Sequence, residues 1–81
     1  MKKAATHIPP MMRVKSSSIA EVGFSNGTMF VRFAAGRLYR YPGVTQDRFN
    51  TVRNAKSVGR ALQLEVLANH EGFLVSEPDG A

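Results

Sequence analysis

The residues best suited to chemistry in this chain of 81 residues are arginines and tyrosines that share one short stretch. Residues 36–45 read G-R-L-Y-R-Y-P-G-V-T, which interleaves Arg37 and Arg40 with Tyr39 and Tyr41. Guanidinium groups bind phosphate oxygens, and aromatic rings stack on unpaired bases. This combination indicates binding of RNA or another single-stranded nucleic acid rather than covalent chemistry.

Groups that could carry catalysis are sparse. A hydrolase or transferase needs a nucleophile with a base, paired carboxylates, or metal ligands within reach of each other. The sequence has no cysteine, His7 lies far from His70, and no Gly-Lys-Ser/Thr follows a glycine as in a phosphate-binding P-loop. We read Ser16, Ser17 and Ser18 as a polar spacer before a strand. We therefore predict a non-enzymatic protein with no catalytic residues, no metal and no cofactor.

Charge is distributed unevenly along the chain. The net charge is +5, but all eleven Lys and Arg residues fall within residues 1–60, while residues 61–81 contain four acidic residues and no basic one. A basic body attracts polyanions at long range through its summed field. The alternative is that the charge serves solubility alone.

Length and composition limit the class of protein. A chain of this size forms one domain, and the lack of cysteine suits a reducing compartment. No apolar run approaches the roughly 20 residues that a spanning helix requires. We expect a cytoplasmic protein without a membrane partner, with a flexible arm at 1–15, one domain at 16–75 and an acidic tail at 76–81.

Three short alternating runs predict strands. Residues 19–24 form the first, and residues 28–33 return after Asn26-Gly27, a dipeptide that favours a hairpin because both residues tolerate positive φ. Residues 37–41 follow a second turn and form the third. The expected sheet is a three-stranded antiparallel meander.

Helical spacing begins after Pro42-Gly43. Thr45 can cap a helix over residues 46–55, and Ser57 can cap a second one over residues 58–69. Residues 61–75 also alternate as a β-hairpin would, and that alternative stays open. The predicted fold class is α+β, β-β-β-α-α, with one or two C-terminal helices on one sheet face and a possible short extra C-terminal strand.

Several sequence pieces in a fixed order resemble the KTSC domain. They are S-S-S-I-A-E-V-G-F from residue 16, an alternating run ending at Phe33, a glycine, Tyr39-x-Tyr41, Gly43-Val44 and Ser57-x-Gly59-Arg60. That family is named for the carboxy-terminal extension of some lysyl-tRNA synthetases and also occurs as small stand-alone bacterial and phage proteins. The resemblance covers roughly residues 16–63. It implies a compact sheet-plus-helix domain with RNA binding as a suggested role.

The pairing of the second and third strands decides which side chains meet solvent. With Phe33 opposite Tyr39, both tyrosines join the core, and Phe30, Arg32 and Arg40 share an open face. A slip of one residue turns the tyrosines outward as stacking platforms and buries Arg40. We prefer the first register because it leaves Arg40 exposed.

The first functional hypothesis is a small nucleic-acid-binding domain. Its candidate residues are Arg32, Arg37, Arg40, Lys56, Arg60, Phe30, Tyr39 and Tyr41. Lys56 and Arg60 flank Ser57-Val58-Gly59, where a helix start could seat an anion. The alternative is that Ser57 only caps the helix and Gly59 only permits a close crossing against the first helix.

The second hypothesis is a protein-interaction module, such as a phage-encoded inhibitor or adaptor, or a homodimer. Its candidate surface is Leu62, Leu64 and Leu67, because the second helix carries more aliphatic side chains than one sheet can cover. Glu65 lies among these apolar residues, which indicates a contact that the sequence does not identify.

Overall fold

Residues 8–77 are described by a computed structural model of the chain. They form one antiparallel sheet in which each strand lies beside the next in sequence. The strands are β1 (Met12–Arg13), β2 (Ile19–Ser25), β3 (Thr28–Phe33), β4 (Leu38–Pro42) and β5 (Phe73–Ser76). Two helices, α1 (Gln46–Arg53) and α2 (Val58–Leu62), lie between β4 and β5, and α2 continues as a π-helical segment (Gln63–Leu67). No helix in this part of the chain has the length and apolar character needed to cross a membrane.

The α+β class is confirmed, but the prediction of three main strands is wrong because the sheet has five. The first additional strand lies in the predicted arm, where Met12 pairs with Val22 and Arg13 pairs with Glu21. The second is β5, the possible extra strand, which pairs with β4. A two-residue strand is too short to produce an alternating pattern, so β1 leaves no signal in the sequence. Residues 1–7 of the arm and 78–81 of the tail lie outside the described residues.

The Asn-Gly hairpin between β2 and β3 is confirmed. Asn26 and Gly27 have φ values of 48° and 75°, as a two-residue turn of the primed type requires. Ser25 and Thr28 close the turn, and the ladder then pairs Phe24 with Met29. The turn thereby fixes which residues of β2 and β3 point to the same side.

The register of β3 and β4 differs from the predicted one by two residues. Tyr39 lies opposite Val31, whereas the prediction placed it opposite Phe33. The cause is the turn: the Phe33 amide donates to the Arg37 carbonyl at 2.9 Å, so Phe33 meets Arg37 instead. Since side chains alternate with period two, this shift leaves every side chain on its predicted face.

The main core lies between the sheet and the helices. Met29 and Val31 from β3 have no exposed surface, and Phe24 stacks on Phe49 of α1 with ring centroids 5.1 Å apart. The buried residues of this core are Ile19, Val22, Met29, Val31, Tyr41, Val44, Phe49, Val52, Val58, Leu62 and Val66. The predicted helical cover over one face of the sheet is therefore confirmed.

Both predicted helix caps are present. The Thr45 hydroxyl accepts a hydrogen bond from the Arg48 amide at 3.1 Å, and the Ser57 hydroxyl accepts one from the Arg60 amide at 3.3 Å. Helix α1 ends at Arg53, two residues before the predicted end. For residues 61–75 the helical alternative is right as far as Leu67. The β-hairpin alternative is wrong, because Phe73–Ser76 form a strand that pairs with β4 and residues 62–66 are helical.

The opposite face, which we call the outer face, is not open as predicted. Phe30 is 3% exposed and Leu38 is fully buried there. Phe30 lies opposite Gly23, and a Cβ atom at Gly23 would be 2.6 Å from the Met11 sulfur and 3.0 Å from the Pro10 carbonyl oxygen. The arm therefore crosses the sheet at Gly23, where the missing side chain makes room for it.

Candidate nucleic-acid interface

The three arginines predicted on the sheet already have partners. Arg32 donates to the Glu21 carboxylate at 3.2 Å and to a backbone carbonyl, and Arg37 donates to the Glu77 carboxylate at 3.0 Å. The Arg40 guanidinium lies 4.8 Å from the centroid of the Phe73 ring. Two of the three positive charges are therefore balanced locally by carboxylates.

The predicted aromatic residues do not offer stacking surfaces on the outer face. The prediction of Phe30 as a solvent-facing ring is wrong, since the arm and neighbouring strands bury it. Tyr41 is 5% exposed in the main core, and Tyr39 stacks against it with centroids 6.4 Å apart. Burial raises the pKa of Tyr41, with a smaller contribution from the charge of Tyr39. Phe73, which the sequence did not single out, is 40% exposed.

Lys56 and Arg60 lie elsewhere, in an open cleft of about 630 Å³ that we call the serine cleft. It forms where the segment entering β2 meets the first turn of α2. Its lining residues are Lys15, Ser16, Ser17, Ser18, Lys56, Ser57, Val58, Gly59, Arg60, Gln63 and Leu64. The eight predicted nucleic-acid-binding residues thus belong to two separate regions, the sheet and this cleft.

Gly59 allows the two walls of the serine cleft to approach closely. A Cβ atom at Gly59 would lie 3.0 Å from the Ser18 hydroxyl oxygen and 3.5 Å from that of Ser16. Gly59 therefore permits a close approach, but to the serine segment and not to α1 as predicted. From the sequence we predicted that Ser16–Ser18 are a spacer before β2. No local pattern connects these serines with Gly59, about forty positions later.

Hydrogen bonds hold the serine wall in place. The Ser16 hydroxyl oxygen accepts from the backbone amides of Ser18 and Ile19, both at 3.2 Å. The Ser16 and Ser18 hydroxyl oxygens are 3.4 Å apart. On the opposite wall, the Ser57 hydroxyl is fixed by its cap bond to the Arg60 amide. The hydroxyl groups are therefore positioned by the backbone on both sides.

The electrostatic character of the serine cleft differs from that of the sheet. Its three cationic side chains, Lys15, Lys56 and Arg60, are exposed. The described residues that line it include no carboxylate, and no ion pair found within residues 8–77 involves these three cations. The cleft is therefore a concentrated positive site with hydroxyl donors beside it.

The three leucines of the predicted interaction surface differ in exposure. Leu62 is 1% exposed and belongs to the main core, so its assignment to the surface is wrong. Leu64 is 64% exposed at the rim of the serine cleft, and Leu67 is 38% exposed. The unexplained Glu65 contacts α1, because Arg48 donates to its carbonyl at 2.9 Å and lies 3.9 Å from its carboxylate.

Comparisons with known proteins agree with the motif pattern. The family model of the KTSC domain matches residues 15–69, which include β2 to β4, both helices and both walls of the serine cleft. A search of curated proteins gave no significant match. Among residues 8–77, no group of three or more His, Asp or Glu side chains could hold a metal ion. With more than half of its length matched, the chain belongs to the KTSC domain family.

Proposed function

We propose that this protein is a small non-catalytic domain that binds RNA or another single-stranded nucleic acid by its phosphates. The observation that carries the proposal is the serine cleft, which Lys15, Lys56 and Arg60 line together with no carboxylate among the described lining residues. Cations that neutralise phosphates release condensed counterions, and this release supplies most of the affinity of sequence-independent binding.

The donor groups of the cleft suit phosphate oxygens. Lysine, arginine and serine side chains make many of the backbone contacts in nucleic-acid complexes. The hydroxyl oxygens of Ser16 and Ser57 accept bonds from backbone amides, so their hydroxyl hydrogens remain able to donate. Leu64 adds an exposed apolar side chain at the rim, against which a sugar or base can pack.

The sheet is the weaker candidate for the same role. Arg32 and Arg37 would have to leave Glu21 and Glu77 before they could neutralise phosphates. Tyr39 faces the helices, so it offers no ring to an unpaired base on the outer face. We therefore assign the phosphate contacts to the cleft, which contains no aromatic residue, and expect little preference for particular bases.

The test is a fluorescence anisotropy titration of a short internally labelled RNA at increasing sodium chloride concentrations. We expect binding in dilute buffer, with affinity that falls steeply as salt is added. Binding that does not respond to salt, or no binding in dilute buffer, contradicts the proposal.

A protein-interaction role is the second candidate, and exposed apolar side chains favour it. Leu64 and Leu67 on the π-helical segment are exposed, as are Phe73 and Leu74 on β5. If the surface that Leu64 and Leu67 form joins two copies, Leu64→Asp should abolish the dimer in analytical ultracentrifugation. Thr51→Asp adds the same charge to an exposed site on α1 and should leave it intact. A monomeric parent chain, or a dimer that survives Leu64→Asp, argues against self-association through this surface.

A further inference from the structure

We infer that the serine cleft recognises a terminal phosphate group, the phosphomonoester at the end of a strand, in preference to the phosphodiesters of its interior. This inference rests on the proposed function and specifies the part of the nucleic acid that the site holds.

The number of cationic groups is the first reason. Two ammonium groups and one guanidinium line one cleft, from Lys15, Lys56 and Arg60. An interior phosphodiester carries a single negative charge, whereas a phosphomonoester at neutral pH carries about −1.5 to −2 and has three strong acceptor oxygens. The charge of three cations that line one cleft therefore complements the charge of a terminal phosphate better than that of a single interior phosphate.

The size and shape of the site are the second reason. The cleft volume of about 630 Å³ is that of a small-ligand site, for which the usual range is about 300–1,000 Å³. Domains that follow a strand use a long basic groove covering about 4–16 nucleotides. Here α1 does not extend the basic lining, because Arg48 is held by Glu65 and Arg53 lies against Met12 and the Phe49 ring.

The fixed positions of the hydroxyl groups are the third reason. Ser16 is held by two backbone amides, Ser57 by its cap bond, and the two walls meet at Gly59. Donors fixed before binding lose little conformational entropy when the ligand arrives. They also favour one compact group with several oxygens over a flexible chain of separated phosphates.

The test compares three RNAs of one sequence with the same internal label: one with a 5′-phosphate, one with a 3′-phosphate and one with hydroxyls at both ends. Each is titrated against the parent protein in low salt. We expect at least one phosphorylated RNA to bind about fivefold tighter than the hydroxyl-ended RNA, which is the upper end of what one exposed charge pair contributes. The phosphorylated RNA that binds more tightly shows whether the cleft recognises the 5′ or the 3′ end.

Two double variants show which region of the protein causes the difference in affinity between the RNAs. Lys56→Gln/Arg60→Gln should remove the difference between phosphorylated and hydroxyl-ended RNA, and Arg37→Gln/Arg40→Gln should preserve it. Equal binding of all three RNAs by the parent protein overturns the inference but leaves the proposed function standing. A difference that survives in the cleft variant also overturns it. Failure to bind any of the RNAs overturns both.

Discussion

Removing two charges from the serine cleft should change the salt dependence of RNA binding by a calculable amount. The variant is Lys56→Gln/Arg60→Gln. Both side chains are exposed, and the cap bond of Ser57 uses the backbone amide of Arg60 rather than its guanidinium. The substitutions should therefore leave the fold intact, which circular dichroism and thermal melting will verify.

The magnitude follows from the number of phosphate contacts. For single strands, each neutralised phosphate contributes about −0.7 to the slope of log affinity against log salt concentration. The three cations of the cleft neutralise about three phosphate charges, those of a terminal phosphate and of the phosphodiester next to it. The slope should therefore be about −2, so affinity should fall roughly twentyfold between 50 and 200 mM salt. The variant retains only Lys15 of this cluster. Its slope should be about −0.7, and its affinity should fall only about two- to threefold over the same range.

The assay is fluorescence anisotropy with a short labelled RNA over that salt range. The matched control is Arg37→Gln/Arg40→Gln, which removes two positive charges from the sheet and should keep the slope near that of the parent, about −2. The control separates local phosphate contacts from the loss of net charge. A cleft variant with the slope of the parent, together with a control whose slope becomes shallower, would refute the assignment of the phosphates to the cleft.

Three further predictions concern the fold that supports the site. Phe30→Ala should lower the free energy of unfolding by about 3–5 kcal/mol in urea denaturation, because Phe30 is buried; a change near zero would mean that it is exposed. Gly72→Ala should cost about 1–3 kcal/mol and lower the melting temperature, since the added Cβ would overlap the Tyr41 ring; an unchanged melting temperature would contradict that contact. The raised pKa of Tyr41 means that the folded chain keeps this proton at pH values where the unfolded chain loses it. The free energy of unfolding should therefore fall as pH rises above about 10, and fall less in Tyr41→Phe; an equal alkaline decline in that variant would contradict the shift.

Features with local causes could be predicted from the sequence. Asn26-Gly27 specifies a tight hairpin because both residues adopt positive φ. Thr45 and Ser57 mark helix starts because each hydroxyl caps an amide three residues later. The alternation of β3 identifies its core face, and that assignment tolerates a register error of two residues because the side-chain period is also two.

Features that join distant segments could not be predicted. Met11 lies over Gly23 because the two-residue strand β1 that follows Met11 pairs with β2. Such a short strand shows no periodicity, so the sequence does not indicate that the outer face is buried. The register of β3 and β4 depends on how the Phe33 amide meets the Arg37 carbonyl in the turn, which composition does not specify. The contact between Arg48 and Glu65 depends on the packing of two helices.

The serine cleft illustrates the same limit at the candidate site. The positions of Lys56 and Arg60 beside Ser57 and Gly59 indicate an anion site in the sequence, but no local pattern indicates a role for Lys15, which also lines the cleft. Its contribution arises because the segment entering β2 packs at Gly59, a contact between residues about forty positions apart. Sequence reasoning therefore identified half of the cleft and placed the main interface on the sheet.

The most direct test of the central claim is amide chemical-shift mapping by NMR, with labelled protein titrated with a short single-stranded RNA in low salt. We expect the largest shift changes at residues 15–18 and 56–64, which form the two walls of the serine cleft, with small changes around Arg32 and Arg40. The largest changes on β3 and β4 around those two arginines, with the cleft unaffected, would contradict the claim.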